Sequence, residues 1–124
     1  MILGIGIDIV ENRRISRSWE RFGNRFAEKI LAPGELESGK KPSAEFLASR
    51  FAVKEAAVKA LGTGFSAGIS CREIEISTTP SGKPVLRLHG RAGDAFRALG
   101  ASTAHVSISH GRDSSVAVVI VEKD

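Results

Sequence analysis

Two carboxylates stand in this chain where an apolar side chain would be expected. Asp8 interrupts an alternating apolar segment near the start, and Glu55 lies in an alanine-rich helical segment. Two carboxylates can hold Mg²⁺ weakly and leave water and phosphate oxygens to complete its coordination. Lys54 and Lys59 accompany Glu55 and would neutralise further phosphate charge. The combination predicts a Mg²⁺-assisted reaction at a phosphate group, with Asp8 and Glu55 as the metal ligands.

Each of these residues also has a plain structural interpretation. Because an unpaired buried carboxylate is costly, Asp8 would pair with a lysine or arginine. Glu55 and Lys59 are spaced like an ordinary ion pair on a helix surface. Gly62 and Gly64 offer backbone N–H groups to a phosphate, but such glycines more often end a helix. Taken one at a time the residues leave both interpretations open, and the presence of two carboxylates together favours the metal site.

Other polar residues are open to two interpretations as well. The arginines of one segment form either a solvated helix face or a docking surface for an acidic partner; they are Arg13, Arg14, Arg17, Arg21 and Arg25. His105 and His110 are candidates for a phosphate contact, although a structural histidine is the commoner case. Lys83-Pro84, directly after Gly82, is typical of a turn.

The elements that must position these residues alternate between strands and helices. Ile5, Ile7 and Ile9 have the period-two pattern of a strand, which places Asp8 on one face with two glycines and leaves space above that face. Later strands are predicted at 74–77, 85–88, 105–109 and 116–121. The last of these is apolar enough to be central. We expect an α+β fold: a single domain, 1–124, with a mainly antiparallel sheet packed against helices.

The longest predicted helix begins at Ser43 or Ala44, after a polar loop at 39–42, and ends at Gly62. Its apolar residues fall on one narrow arc, with Lys54 inside the arc and Glu55 at its border; they are Leu47, Phe51, Val58 and Leu61. Its alanines allow other elements to approach closely. The other predicted helices are 13–28, a short one opened by Pro33, and 90–100.

Composition narrows the class of protein further. The chain has 124 residues and a formal charge of +4, a sign that fits an acidic protein, a polyphosphate or a nucleic acid. Cys71 is its one cysteine, which agrees with a reducing cytoplasm and excludes an internal disulfide. No apolar stretch reaches the ~18 residues of a membrane helix, and the start lacks the basic region of a secretory signal. The P-loop pattern is absent.

Four segments resemble one known family, the bacterial holo-acyl-carrier-protein synthases. They are Gly4-Ile5-Gly6-Ile7-Asp8-Ile9-Val10-Glu11 followed by Arg14-Ile15, then Arg50-Phe51-Ala52-Val53-Lys54-Glu55-Ala56-Ala57-Val58-Lys59-Ala60-Leu61-Gly62-Thr63-Gly64, then Gly82-Lys83-Pro84, and His105-Val106-Ser107-Ile108-Ser109-His110. The second segment is highly specific for that family. The resemblance runs over essentially the whole chain.

The resemblance implies transfer of 4′-phosphopantetheine from coenzyme A to a serine of apo acyl carrier protein, releasing adenosine 3′,5′-bisphosphate. It implies a homotrimer with sites between subunits, and it implies no nucleic acid or membrane partner. Asp8 and Glu55 match the Mg²⁺ ligands, and Lys59 matches a lysine near the pyrophosphate. For the reaction so implied, Glu55 is the candidate base, either directly or through a metal-bound water. Coenzyme A would meet the residues Arg50, Lys54, Lys59, Gly62, Gly82, Lys83, Pro84, His105 and Ser107. Arg14 and Arg21 fall in the segment that matches the family's carrier-docking helix.

Two other functions fit some of the same features. A small basic protein that binds RNA would explain the net charge and the arginines. However, the chain has no tyrosine and no aromatic stacking platform of the usual type. A Mg²⁺-dependent nucleotide hydrolase would use the same two carboxylates. The hydrolase would cleave coenzyme A without modifying a carrier, and the RNA-binding protein would change neither.

Overall fold

The strands of the computed structural model form two antiparallel sheets, and the structure describes residues 1–37 and 42–124. In the first sheet the order is β1, β5, β4, and the second sheet pairs β2 with β3. The strands are β1 Ile2–Glu11, β2 Ile74–Thr78, β3 Pro84–Leu88, β4 Thr103–His110 and β5 Ser114–Glu122. The helices are α1 Asn12–Phe22, α2 Asn24–Ile30, α3 Pro33–Leu36, α4 Ala44–Leu61 and α5 Gly90–Ala98. The expected α+β class is confirmed.

The strand predictions agree closely with the structure. β5 is central in the three-stranded sheet, as its continuous apolar sequence predicted. Asp8 of β1 lies opposite Ala117 of β5. The loop predicted at 39–42 lies outside the described residues except for Pro42. No helix within the described ranges has both the length and the apolar character needed to cross a membrane.

Helix α4 covers one face of the three-stranded sheet and contacts both β1 and β5. Its backbone approaches β1 so closely that a Cβ atom on Gly4 would overlap the carbonyl oxygen of Ala60. A Cβ atom on Gly6 would overlap the carbonyl oxygen of Ala56 in the same way. The space that the glycines leave above the strand is therefore filled by the helix, and the alanines make this approach possible.

The opposite face of the same sheet is open to solvent, and it is apolar along β1 and β5. Ile5, Ile7 and Ile9 of β1 are 59%, 61% and 66% exposed. Their partners on β5, Ile120, Val118 and Val116, lie beside them in register. The alternate residues of β5, by contrast, are buried in the core against α4. The sheet thus has one face in the core of the chain and one apolar face open to solvent.

The predicted helix at 13–28 is wrong in one respect, because two helices occupy the segment. Gly23 separates α1 from α2 and has a positive φ of 55°. A residue in that conformation cannot continue an α-helix, and glycine adopts it without strain. Ile15 is buried as predicted, whereas Phe22 is largely exposed at the break.

Candidate functional site

The two carboxylates singled out by sequence lie on neighbouring elements, together with a lysine. Asp8 is on β1, and its side chain is 16% exposed. Lys59 of α4 donates from Nζ to Asp8 Oδ1 at 2.9 Å and to the carbonyl of Ile7 at 3.1 Å. Glu55 lies one helical turn before Lys59 and is half-buried. The close packing of β1 on α4 is what places these three side chains together.

The charges of this group act on one another. Burial raises the pKa of Glu55, and the negative charge of Asp8 raises it further. The positive charges of Lys59 and Arg14 oppose that shift. The hydrogen bond and the charge of Asp8 raise the pKa of Lys59. Two carboxylates and two cations therefore interact at one place on the surface.

The donor set of this group fits a divalent cation. Burial is the main cause that raises the pKa of Glu55, and the negative charge of Asp8 adds to it. A bound positive charge would offset both effects. Among residues 1–37 and 42–124, no three histidine, cysteine, aspartate or glutamate side chains converge. A site with two protein carboxylates suits Mg²⁺, which keeps several waters or phosphate oxygens in its coordination sphere.

Lys54 does not lie with this group. Its side chain is fully buried, as its place inside the apolar arc of α4 indicated. Its ammonium donates to Glu35 Oε1 at 2.6 Å and to the carbonyl oxygen of Ile30. It is therefore committed to the interior, and the expected contact between Lys54 and a phosphate finds no support in this position.

Gly62 ends α4 in the left-handed conformation, with φ 76°. Its N–H donates to the carbonyl of Lys59, and the N–H groups of Thr63 and Gly64 donate to the carbonyl of Val58. These groups therefore satisfy the last carbonyls of the helix. The arrangement is that of a helix stop rather than that of a phosphate cradle.

A second set of predicted residues surrounds a separate cavity of about 300 Å³. Arg50, Gly82, Pro84 and Ser107 line it, together with His110. None of Asp8, Glu55 and Lys59 is among the described residues that line this cavity. Within one chain, the predicted site residues thus fall into two groups.

Lys83 and His105, like Lys54, Lys59 and Gly62, lie outside the lining of that cavity. Lys83 is exposed in the turn between β2 and β3. His105 lies on the open face of the sheet, where its Nε2 is 3.0 Å from Glu122 Oε1. This contact with Glu122 fits a structural role for His105, which is one of the two interpretations that the sequence leaves open.

Arg14 and Arg21 are exposed on α1. The charge of Arg14 is felt at Glu55, which places the start of the basic helix beside the two carboxylates. The guanidinium of Arg21 stacks over the ring of Phe22, with its central carbon 5.2 Å from the ring centre. A partner that binds along α1 would therefore meet the carboxylate group at one end.

Glu35 is the buried charge that sequence reasoning did not single out. It lies on the short helix α3 and pairs with the buried Lys54. The signal for it was Lys54 itself: a lysine inside an apolar arc needs a buried carboxylate, because burying an unpaired charge is costly. Sequence spacing gave no indication of which acidic residue would supply it.

The chain and its fold belong to a known class. A model of the 4′-phosphopantetheinyl transferase superfamily matches residues 4–119, so the chain belongs to that superfamily. Its relatives within the superfamily are named holo-[acyl-carrier-protein] synthase. One from Nitratidesulfovibrio vulgaris is 58% identical, over 98% of this chain and 99% of that protein. The resemblance found in the four sequence segments is thereby confirmed.

Solved structures give the same result. The crystal structure of holo-[acyl-carrier-protein] synthase from Neisseria meningitidis has a TM-score of 0.88 and 40% identity, covering 99% of this chain and all (100%) of that one. The enzyme from Helicobacter pylori, solved in complex with coenzyme A, has a TM-score of 0.83 and 36% identity. That match covers 95% of this chain and 99% of the other.

Proposed function

We propose that this chain transfers 4′-phosphopantetheine from coenzyme A to a serine of apo acyl carrier protein, in fatty acid biosynthesis. The products are holo acyl carrier protein and adenosine 3′,5′-bisphosphate. The observation that carries the proposal is the Asp8–Lys59–Glu55 group, found in a chain that matches the superfamily over residues 4–119. The relative solved with coenzyme A supports that substrate.

The serine hydroxyl attacks the β-phosphorus of coenzyme A. A bond forms from the serine oxygen to phosphorus, and the bond from phosphorus to the leaving bisphosphate breaks. Glu55, whose pKa is raised, takes the hydroxyl proton directly or through a water. Lys59, held by Asp8 and half-exposed, places positive charge where the leaving phosphate gains negative charge.

Asp8 and Glu55 would hold Mg²⁺. When bound, Mg²⁺ neutralises the pyrophosphate and makes the phosphorus a better electrophile. The mutual repulsion of the two carboxylates supports this assignment, since a divalent cation would relieve it.

The test is to incubate the protein with coenzyme A, Mg²⁺ and apo acyl carrier protein, and to weigh the carrier intact by mass spectrometry. We expect the carrier to gain the mass of phosphopantetheine and the gain to stop when Mg²⁺ is chelated. Cleavage of coenzyme A without a mass gain would instead identify a hydrolase. No change in either substrate would contradict an enzyme of this class and favour a binding protein.

We propose α1 as the docking surface for the acidic carrier. Reversing both charges, Arg14→Glu with Arg21→Glu, is expected to raise the carrier KM by about tenfold at low salt, since exposed pairs contribute only about 0.2–1 kcal/mol each and reversal adds repulsion. The KM for coenzyme A is expected to change little. Steady-state kinetics with each substrate varied in turn gives both values.

A matched control for the docking prediction reverses two exposed arginines on other elements. Arg72→Glu with Arg87→Glu changes the net charge equally but leaves α1 intact. We expect this control to bind the carrier nearly as the wild type does. Equal rises in the two KM values for Arg14→Glu with Arg21→Glu would contradict the docking role.

We propose that the protein is a homotrimer with its active sites between subunits. The open sheet face formed by Ile5, Ile7 and Ile9 supports association, because burying it removes apolar surface from water. The division of the site residues into two groups supports a shared site. In this arrangement Asp8, Glu55 and Lys59 of one subunit meet the Gly82-Lys83-Pro84 turn of its neighbour.

Subunit mixing tests the shared site. Glu55→Gln and, separately, Lys83→Glu with Pro84→Ala are each expected to be poorly active. After subunit exchange, some boundaries pair two intact halves, so transfer activity is expected to rise well above both parents. Native mass spectrometry verifies the exchange and the trimer mass. A mixture that exchanges subunits and stays inactive would show that both groups act within one chain.

We also propose that residues 1–124 act as one domain in the cytoplasm. The two ends of the chain meet in the structure, since the amino group of Met1 donates to the carbonyl of Lys123 at 2.7 Å. Burial raises the pKa of the Cys71 thiol to about 11, which keeps the one cysteine as an unreactive thiol. Both observations support a single unit suited to a reducing compartment.

A further inference from the structure

One buried carboxylate serves two cations of helix α4. The side chain of Glu35 is 2% exposed, and its Oε1 accepts from Lys54 Nζ at 2.6 Å and from the N–H of Ala32 at 2.7 Å. Its Oε2 stands 3.9 Å from Nε of Arg50. Arg50 and Lys54 are one helical turn apart, so both point to the same carboxylate.

Glu35 favours the charged form of both cations. Burial lowers the pKa of Lys54 and that of Arg50, because an interior position disfavours the charged form. The negative charge of Glu35 opposes both shifts. Lys54 is turned fully inward, whereas Arg50 reaches the surface.

Arg50 is held on several sides. Its guanidinium carbon is 4.5 Å from the ring centre of Phe46, and its Nη1 donates to Ser49 Oγ at 3.4 Å. Its side chain is 12% exposed, and Arg50 lines the cavity that Gly82, Pro84 and Ser107 also line. Among the described residues, Glu35 is the one oppositely charged side chain that pairs with Arg50.

We infer that Glu35 is a positioning residue, which holds the guanidinium of Arg50 toward the phosphate at the nucleotide end of coenzyme A. The inference rests on the proposed function, because coenzyme A is the substrate of that function and the family resemblance places Arg50, Gly82 and Ser107 among the residues that meet it. A planar, permanently charged guanidinium binds a phosphate oxygen pair well only when its plane is fixed. Lys54 anchors Glu35 from the core side, and Glu35 in turn fixes Arg50.

The inference predicts a specific pattern in a double-mutant cycle. Glu35→Gln keeps the shape of the side chain and removes its charge. We expect the Kd of coenzyme A, from calorimetry, and its KM to rise about tenfold, with kcat nearly unchanged. In the Arg50→Ala background, Glu35→Gln is expected to cause no further rise. Glu35→Gln is expected to lower stability in both backgrounds, because it leaves the buried Lys54 without its charged partner.

Two further variants separate positioning from folding. Val121→Ala shortens a fully buried side chain of β5 and is expected to lower stability without changing the Kd of coenzyme A. Glu35→Asp keeps the charge but shortens its reach, and is expected to raise the Kd in the same direction as Glu35→Gln. If Glu35→Gln does not fold, Glu35→Asp tests the positioning role of Glu35 in its place.

Three results would overturn the inference. The first is an unchanged Kd of coenzyme A in the folded Glu35 variants. The others are a rise in that Kd, as large as the one in the wild-type background, when Glu35→Gln is added to Arg50→Ala or when Val121→Ala is made alone. The proposed function fails separately. A wild type that binds coenzyme A but never modifies a carrier would contradict the transferase, while the binding cycle would still decide the role of Glu35.

Discussion

Asp8→Asn and Glu55→Gln are each expected to reduce the rate of phosphopantetheine transfer by about 100-fold or more. Each change keeps the size of the side chain and removes one negative charge. Asp8→Asn also removes the charge that pairs with Lys59, and Glu55→Gln removes the proposed base. The measurement is the initial rate of carrier modification over a range of Mg²⁺ concentrations.

The same variants are expected to remain folded. Burial and the charge of Asp8 raise the pKa of Glu55 in the folded protein, so its ionised form opposes folding. That cost is fully present above the raised pKa and disappears below the ordinary pKa of a glutamate. Glu55→Gln is therefore expected to be at least as stable as the wild type at neutral pH, by urea unfolding.

A matched control tests whether any loss of carboxylate has this effect. Glu28→Gln makes the same change on the exposed surface of α2 and is expected to leave the transfer rate unchanged. Near wild-type transfer by Asp8→Asn at limiting Mg²⁺ would rule out Asp8 as a metal ligand. The same result for Glu55→Gln would rule out Glu55.

Sequence alone singles out the two carboxylates, because each residue departs from a local pattern. Asp8 breaks the apolar alternation of a strand, and Glu55 sits at the border of an apolar arc. The glycines of β1 and the alanines of α4 predicted the close approach of two elements. Those two elements bring the carboxylates together, so the local signals and the packing signal agree.

Sequence predicted less where long-range packing decides the outcome. Lys54 was assigned to phosphate on its chemistry, although the helical arc placed it in the core, and the arc was the better guide. The break at Gly23 depends on a positive φ that the helical pattern does not reveal. The open face of β1 was also missed, because alternation shows two faces of a strand without showing what covers each one.

The contact between β1 and α4 leads to the largest expected effect on folding. Gly6→Ala would place a methyl group on the carbonyl oxygen of Ala56, a backbone atom that can move only with its helix. Overpacking of this kind costs about 1–3 kcal/mol and occasionally more. Because the atom in the way belongs to the helix backbone, we expect Gly6→Ala to lower the free energy of unfolding by about 3 kcal/mol or more. Urea unfolding of the purified variant gives the change in the free energy of unfolding.

Gly111→Ala is the control for that prediction, since a Cβ atom on Gly111 would meet no atom within 4 Å. We expect its stability to stay within about 0.5 kcal/mol of the wild type or to rise slightly. Equal stability of Gly6→Ala and Gly111→Ala would contradict the close packing of α4 on β1.

Gly6→Ala is also expected to slow the transfer reaction, because the same packing of α4 on β1 positions the carboxylate group. Asp8 is two residues beyond Gly6 on the same face of β1, and Glu55 and Lys59 are on the helix that would be pushed away. If α4 moves outward, the Lys59–Asp8 hydrogen bond lengthens and the two carboxylates separate. We therefore expect any folded fraction of Gly6→Ala to transfer slowly even at saturating substrates. A folded Gly6→Ala protein with wild-type kcat would show that the spacing of β1 and α4 does not control the carboxylate group.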